Sequence, residues 1–171
     1  MQTKDSRWNI LFMLMALCFI SHLNRISMSV AGDARIMKQY AIEPTRMGEI
    51  YTAFLVVYTI AMIPGGVLID RVGARRALMI VGFGSSLFVL ATGLMGLWMP
   101  AAGIWGSLML VRGIMGLLSS PLHPGCARAV GDCFPASERS LANGLITGAA
   151  VFGIACSHKV FGWMIEQVTW P

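Results

Sequence analysis

Five long apolar segments dominate this 171-residue sequence and restrict what it can fold into. A helix needs about 20 residues, at a rise of ~1.5 Å each, to cross the ~30 Å hydrocarbon core of a bilayer. Each segment is long enough to do so. The sequence therefore predicts an all-α, polytopic membrane protein with five transmembrane helices, at residues 8–31, 47–69, 77–98, 104–127 and 141–165.

The composition agrees with a lipid environment. Hydrophobic residues make up 56% of the chain and charged residues only 12%, whereas soluble domains carry about 25% charged residues. A single soluble core could not bury so much apolar surface, so the expected partner is a lipid bilayer and not nucleic acid. The first segment is too long for a signal peptide and lacks a cleavage site, so we expect an uncleaved helix.

Lysine and arginine are divided unequally between the two sets of connections. One side would hold the N-terminal tail and the connections 70–76 and 128–140, with Lys4, Arg7, Arg71, Arg75, Arg76, Arg128 and Arg139. The other side would hold the connections 32–46 and 99–103, with only Arg35, Lys38 and Arg46. The positive-inside rule predicts a cytoplasmic N-terminus, in a protein of the cell inner (plasma) membrane.

No motif points to a metal or a cofactor. The four cysteines contain no C-x-x-C pair, so we predict neither a metal site nor a redox motif, and no cofactor; they are Cys18, Cys126, Cys133 and Cys156. We expect a small apolar role for the cysteines within the spans.

Small residues and the end of the chain carry two further expectations. Gly144 and Gly148 form a G-x-x-x-G pattern, which predicts close helix approach in lipid. The last residues, 168–171, place a tryptophan before a proline, which is typical of a connection that leads into another span.

A motif lies between the second and third segments. It reads G-V-L-I-D-R-V-G-A-R-R from Gly66, and it resembles the signature that the major facilitator superfamily has between its second and third spans. One departure is an alanine where the family usually has a basic residue. Gly66 and Gly73 predict a tight turn, and Asp70 beside Arg71 and Arg75 predicts charge pairing there. The resemblance implies a role in conformational change.

Most of the chain is similar to one branch of that superfamily, the anion:cation symporters that carry sugar acids and other organic anions. The similarity rests on residues in the second span, the fourth span and the following connection, namely 47–48, 53–54, 58–59, 63–66, Arg112, Gly116, Pro121, Pro124, 134–135 and 138–139. The resemblance implies about twelve spans in two halves. Residues 1–171 would then be an incomplete N-terminal half, whose partners are a small anionic substrate and the missing C-terminal half.

Arg25 is the leading candidate for a substrate ligand. Ser21, Arg25 and Ser29 share one face of the first span, and a guanidinium binds a carboxylate through two parallel hydrogen bonds. The resemblance makes Arg25 a substrate ligand, with His22 and Asn24 at positions that are usually Tyr and Asp. The alternative is that Arg25 extends to the outer headgroups.

Tyr58 and the fourth span supply the other candidates. The resemblance implies that Tyr58 contacts substrate; the alternative is a packing aromatic. Four residues of the fourth span are expected to share one face beside a proline-broken stretch: Arg112, Gly116, Ser119 and His123. We assign Arg112 and Ser119 to the cavity or to coupling, whereas the favoured interpretation of His123 is a core histidine near the cytoplasmic end of the span.

Proton-coupled relatives commonly carry Asp and Glu where this chain has Asn24 and Ser119, neither of which titrates. Symport through those carboxylates is therefore doubtful, and a uniporter, an exchanger or a histidine-based route stays open. An organic-anion transporter is the leading hypothesis. The alternative is a truncated membrane fragment with no transport activity of its own. An enzyme is the weakest hypothesis, because no nucleophile–base pair or phosphate-binding loop is present.

Overall fold

The computed structural model describes residues 4–98 and 101–167, so the predicted connector at 168–171 lies outside the described residues. All regular secondary structure in the described residues is helical. The helices are α1 (Lys4–Ala31), α2 (Met37–Gln39), α3 (Pro44–Val72), α4 (Ala74–Trp98), α5 (Ala101–Ser119), α6 (Leu122–Cys133) and α7 (Ala136–Gln167), with a π-helical turn at Gly32–Ile36 between α1 and α2.

Five helical stretches in the described residues are long and apolar enough to cross a membrane: Ser6–Val30, Pro44–Val72, Ala74–Leu94, Gly103–Cys133 and Ala136–Ile165. Their outer faces carry large apolar side chains. Phe12, Ile63 and Phe83, for example, are 72%, 81% and 79% exposed. Such faces are stable against lipid and not against water. The prediction of an all-α polytopic membrane protein with five spans is confirmed.

The connections are shorter than predicted. Residues 32–39 continue as helical turns, which leaves only 40–43 to join α2 to α3. Helices also run through most of the predicted 128–140 connection, because α6 continues to Cys133 and only residues 134–135 separate it from α7. An apolar pattern marks the part of a helix that lies in hydrocarbon, whereas backbone hydrogen bonding carries the helix on into the polar headgroup region.

A single residue makes the turn between α3 and α4. Gly73 has φ 88° and ψ 149°, a backbone conformation that is strongly unfavourable for residues other than glycine. Its N–H donates to the carbonyl oxygen of Ile69 at 2.8 Å and ends α3. The prediction that Gly66 belongs to this turn was wrong: Gly66 lies inside α3, and nothing lies within 4 Å of the place where its Cβ would be.

The fourth span is broken at Pro121, within the stretch where the sequence predicts that prolines interrupt the helix. Helix α5 ends at Ser119 and α6 begins at Leu122, because Pro121 has no N–H to continue the hydrogen-bond ladder. The backbone around the break still finds partners. Ser120 Oγ donates to the carbonyl oxygen of Leu117 at 2.9 Å, and the N–H of Gly125 donates to that of Pro121 at 2.9 Å.

The bundle is built from two helix pairs. Helix α1 packs along α7, α3 packs along α5, and α4 packs against α5 and α6. Both pairs approach so closely that a side chain would not fit. A Cβ at Gly116 would lie 2.6 Å from the carbonyl oxygen of Phe54, and a Cβ at Gly153 would overlap the carbonyl oxygen of Phe19. Glycine at these two positions lets the helix backbones touch.

We expect Gly116→Ala to lower the thermal unfolding midpoint of the purified protein in detergent. The added methyl must push α5 away from α3, and overpacking of this kind costs about 1–3 kcal/mol. The predicted G-x-x-x-G pattern supplies the control, because Gly144 and Gly148 have nothing within 4 Å of an added Cβ. Gly144→Ala should therefore leave the midpoint unchanged or raise it. Equal effects of the two alanines would contradict this account of the packing.

Candidate functional site

Arg25 of α1 lies over two aromatic rings of α3. Its guanidinium carbon is 4.9 Å from the ring centroid of Phe54 and 5.1 Å from that of Tyr58. These rings are one helical turn apart and stacked, with centroids 5.9 Å apart and planes 11° from parallel. A cation within about 6 Å of a ring face is attracted by the ring's negative face. The half-buried Arg25 therefore points across the bundle towards α3.

Among the side chains that the structure describes, no carboxylate forms an ion pair with this guanidinium. The ion pairs there are Arg7 with Glu138, and Arg128 with Asp70 and with Asp132. Ring faces hold a cation in place but leave its N–H donors and most of its positive potential available. The arrangement favours an anion beside Arg25.

A second arginine lies deeper in the same region. Arg112 of α5 is 5% exposed, and its Nη1 donates to the carbonyl oxygen of Arg25 at 3.4 Å. The same nitrogen lies 3.9 Å from Met115 Sδ, and the buried Nε has no hydrogen-bond partner within the described residues. Arg112 thus joins α5 to the backbone of α1 and adds a second positive charge close to Arg25.

Two pairs of side chains connect α1 to α6. The Nε2 atoms of His22 and His123 lie 3.4 Å apart, with ring centroids 5.2 Å apart and planes 66° from parallel. His22 Nδ1 lies 3.0 Å from the carbonyl oxygen of Cys18. One helical turn before His22 on α1, the Sγ atom of Cys18 lies 3.6 Å from that of Cys126, and both cysteines are buried. Both ring nitrogens of His22 therefore already have protein partners.

Asn24 and Ser119 lie apart from the rings that hold Arg25. Ser119 Oγ is 3.4 Å from Ser85 Oγ on α4. Asn24 and Ser21 line a groove of about 820 Å³ bordered by α1, α4 and α6. Asn24 and Ser119 thus contribute an amide and a hydroxyl near α4.

The predicted common face of the fourth span is divided among three neighbours. Arg112 reaches α1, Gly116 touches α3, and Ser119 faces α4. His123, after the break, meets α1 again. A broad face on a helix surrounded by other helices contacts several of them, and the break before Leu122 interrupts the helical periodicity on which the prediction rested.

The signature motif lies at the end of the bundle that also contains the N-terminal part of α1. Asp70 accepts a hydrogen bond from Arg128 Nη1 of α6 at 3.2 Å, and Arg128 Nε lies 3.3 Å from Asp132. Asp70 thus pairs across to α6 and not with the adjacent Arg71, which is exposed. Arg75 lines the groove between α1, α4 and α6.

This end is remote from the site. Twelve residues separate Tyr58 from Asp70 on α3, which is about 18 Å along the helix axis. The motif can therefore influence the site only through the position of whole helices. A further ion pair at this end, Arg7 with Glu138 at 3.5 Å, joins α1 to the start of α7.

Sequence reasoning missed three of these partners. Phe54 was detectable in principle, because it lies one turn before Tyr58 on the same face of α3. The pairing of His123 with His22 and that of Arg128 with Asp70 join residues that are 101 and 58 positions apart in the chain. Periodicity along one helix carries no information about which face of another helix it meets.

Comparisons with known proteins agree with this architecture. The family model of the Major Facilitator Superfamily matches residues 14–171. The chain is 32% identical over 164 residues to the probable galactarate/D-glucarate transporter GudP of Bacillus subtilis, covering 96% of this chain and 36% of that protein. It is 33% identical over 168 residues to the D-galactonate transporter of Escherichia coli O6:H1, covering 96% of this chain and 36% of that protein.

A third relative, the probable galactarate/D-glucarate transporter GudP of Escherichia coli K12, is 32% identical over 166 residues, covering 97% of this chain and 36% of that protein. The chain thus spans about a third of the length of these curated relatives. The match to the family model extends from the first span to the last residue and includes the motif at the α3–α4 turn. The chain belongs to the major facilitator superfamily.

Proposed function

We propose that this chain is part of a transporter that moves a small organic anion across a membrane by alternating access. The observation that carries the proposal is the half-buried Arg25 guanidinium, held by two ring faces with no carboxylate partner among the side chains that the structure describes. A cation within a span costs ~2.5–3.5 kcal/mol on insertion scales, so such residues mark substrate or ion pathways. An anionic substrate would lower that cost.

Sugar acids fit the chemistry of this site. Arg25 would bind the carboxylate through its planar pair of N–H donors. Tyr58, whose ring it covers, would offer a hydroxyl to the sugar hydroxyls. The relatives named for galactarate, glucarate and galactonate support this substrate class. Both ring nitrogens of His22 have protein partners. We therefore propose that His22 lies beside the substrate together with His123 and does not bind the substrate alone.

The other candidate residues would act on the transport cycle. Arg112 would maintain positive potential beside Arg25, while Ser119 and Asn24 would line the adjoining space without titrating. Gly66, Gly73 and the charged residues of the motif would govern the exchange between conformations, because they lie at the far end of the helices that carry the site. We assign none of these residues a catalytic role, and no cofactor.

Residues 1–171 would form an incomplete N-terminal half, because transport requires two bundles that rock around a central site. The chain matches only about a third of the length of its relatives, which supports this division. A C-terminal half would supply the opposite wall of the site. The unequal distribution of arginine and lysine favours a cytoplasmic N-terminus in an inner (plasma) membrane. If no such half exists, the chain is a fragment without transport activity of its own.

We expect Arg25→Ala to weaken binding of D-galactonate to the full-length protein by about 10- to 150-fold, since a charge-assisted hydrogen bond contributes ~1.5–3 kcal/mol. Arg25→Lys keeps the charge but loses the planar pair of donors, so it should fall between Arg25→Ala and the parent. Calorimetry on purified protein measures both. Arg46 offers a matched control, because its guanidinium also lies over a ring, 5.9 Å from the centroid of Trp105, but at an exposed helix end.

Arg46→Ala should bind D-galactonate as the parent does. The proposal is overturned if Arg25→Ala binds as tightly as the parent, or if Arg46→Ala is weakened as much as Arg25→Ala.

Asp70→Asn should slow transport by the full-length protein about 2- to 5-fold with little change in affinity, because an exposed ion pair contributes ~0–1 kcal/mol to one conformation. Arg128→Gln should do the same. Initial rates of labelled galactonate uptake into proteoliposomes measure the effect. Asp132→Asn is the control, since it removes the second carboxylate on Arg128 but leaves the link to α3. If uptake were slowed in Asp132→Asn but not in Asp70→Asn, the role assigned to the Asp70–Arg128 ion pair would be contradicted.

The orientation is tested at Cys133, which lies half-buried at the end of α6. In a variant with Cys133 as the single cysteine, a membrane-impermeant thiol reagent should label it only after the cells are permeabilised. A cysteine-free variant carrying Lys38→Cys, an exposed position at the opposite end, should be labelled in intact cells. The reverse pattern would place the N-terminus outside.

A further inference from the structure

The contact between His22 and His123 defines where protons must lie. His22 Nδ1 is 3.0 Å from the carbonyl oxygen of Cys18, and a carbonyl only accepts hydrogen bonds, so this nitrogen carries a hydrogen. In a neutral His22 the lone pair is then on Nε2. That atom faces Nε2 of His123 at 3.4 Å. A hydrogen bond between them requires a proton on one Nε2 only, and in the neutral pair His123 donates it.

This hydrogen bond lets the pair take up one proton and move the charge. A proton that binds to Nδ1 of His123 makes that ring an imidazolium. The Nε2–H bond of His123 can then break as an N–H bond forms at the lone pair of His22 Nε2. The charge passes from α6 to α1, and His123 is left neutral with its hydrogen on Nδ1. A second added proton would place two cations in contact, which is strongly disfavoured.

The pair is the group in this region that is suited to carry a proton near neutral pH, since imidazole changes charge between about pH 5 and 8. The remaining titratable and charged groups of the surrounding helices do not replace it. Helix α4 contributes only arginines at its start, and His158 and Lys159 of α7 are exposed. The nearer groups are Cys18 and Arg25 of α1, Tyr58 of α3, Cys126 of α6, and Arg112 of α5 beside the backbone of Arg25.

Arg25 links the pair to an anion, because it follows His22 by three residues, which is about one helical turn. While Arg25 is unneutralised, its charge opposes a second cation on His22. A carboxylate bound to Arg25 cancels that opposition, so anion and proton each favour the binding of the other by the same factor. We propose that the His22–His123 pair is a proton-binding site that couples the uptake of one proton to the binding of one carboxylate at Arg25.

This inference rests on the proposed function for its anion, but the pair itself can be tested without one. In the full-length protein labelled with ¹⁵N-histidine, nuclear magnetic resonance should show scalar coupling between the two Nε2 atoms across the shared hydrogen. The coupling should vanish in His22→Gln and in His123→Gln and persist in His158→Gln. Absence of the coupling in the parent would overturn the pair as a proton site, whatever the protein transports.

The coupling is tested in proteoliposomes with D-galactonate, a monoanion. A 1:1 symport accumulates it about tenfold per unit of pH gradient. His22→Gln and His123→Gln should lose accumulation yet retain exchange of labelled for unlabelled galactonate, which shows that they are folded, while His158→Gln should accumulate it as the parent does. Exchange without accumulation in the parent would overturn the coupling and leave the proposed function intact. Absence of galactonate binding and exchange in the parent would overturn the proposed substrate, and the coupling with it.

Discussion

The backbone of α5 touches that of α3 at Gly116, and the backbone of α7 touches that of α1 at Gly153. In lipid the hydrophobic effect does not drive helices together, so close van der Waals contact between small residues must do so. The contact at Gly116 involves Phe54 and Tyr58, the same turn of α3 that holds the guanidinium of Arg25. Helix packing and site geometry therefore depend on the same few atoms.

The arginines and histidines of the bundle interior that the structure describes are concentrated in one region, between α1, α3, α5 and α6. Arg25, Arg112 and the two histidines lie there, while the outer faces of the spans are apolar. Each cation inside a span is costly, and here ring faces and a backbone carbonyl compensate that cost only in part. A region with unneutralised positive charge and an imidazole pair has a physical reason to take up an anion, and with it a proton.

Two helices carry both the site and the motif at the end of the bundle. Helix α3 bears Tyr58 and Asp70, and α6 bears His123 and Arg128. The ion pair between Asp70 and Arg128 therefore joins, at the surface, the same helices whose other ends surround the buried site. A movement of α3 relative to α6 would change the ion pair and the surroundings of Arg25 together. Such a link through rigid helices needs no chain of contacting side chains.

The sequence alone determined the five spans, a glycine turn after the second span that includes Gly73, and the break at Pro121, since length, hydrophobicity and backbone chemistry are local properties. Only the structure showed that Gly73 makes this turn by itself. The sequence also singled out Arg25 and Tyr58. The tertiary structure decided which residues meet. Gly116 and Gly153, and not the G-x-x-x-G at Gly144, make the close contacts.

Likewise, only the fold joined His22 to His123 and Asp70 to Arg128. The physical reason is rotation about the helix axis. A pattern of apolar residues specifies that a helix spans the bilayer, but lipid accepts any of its apolar faces. Only packing against the neighbouring helices determines which polar side chains face one another.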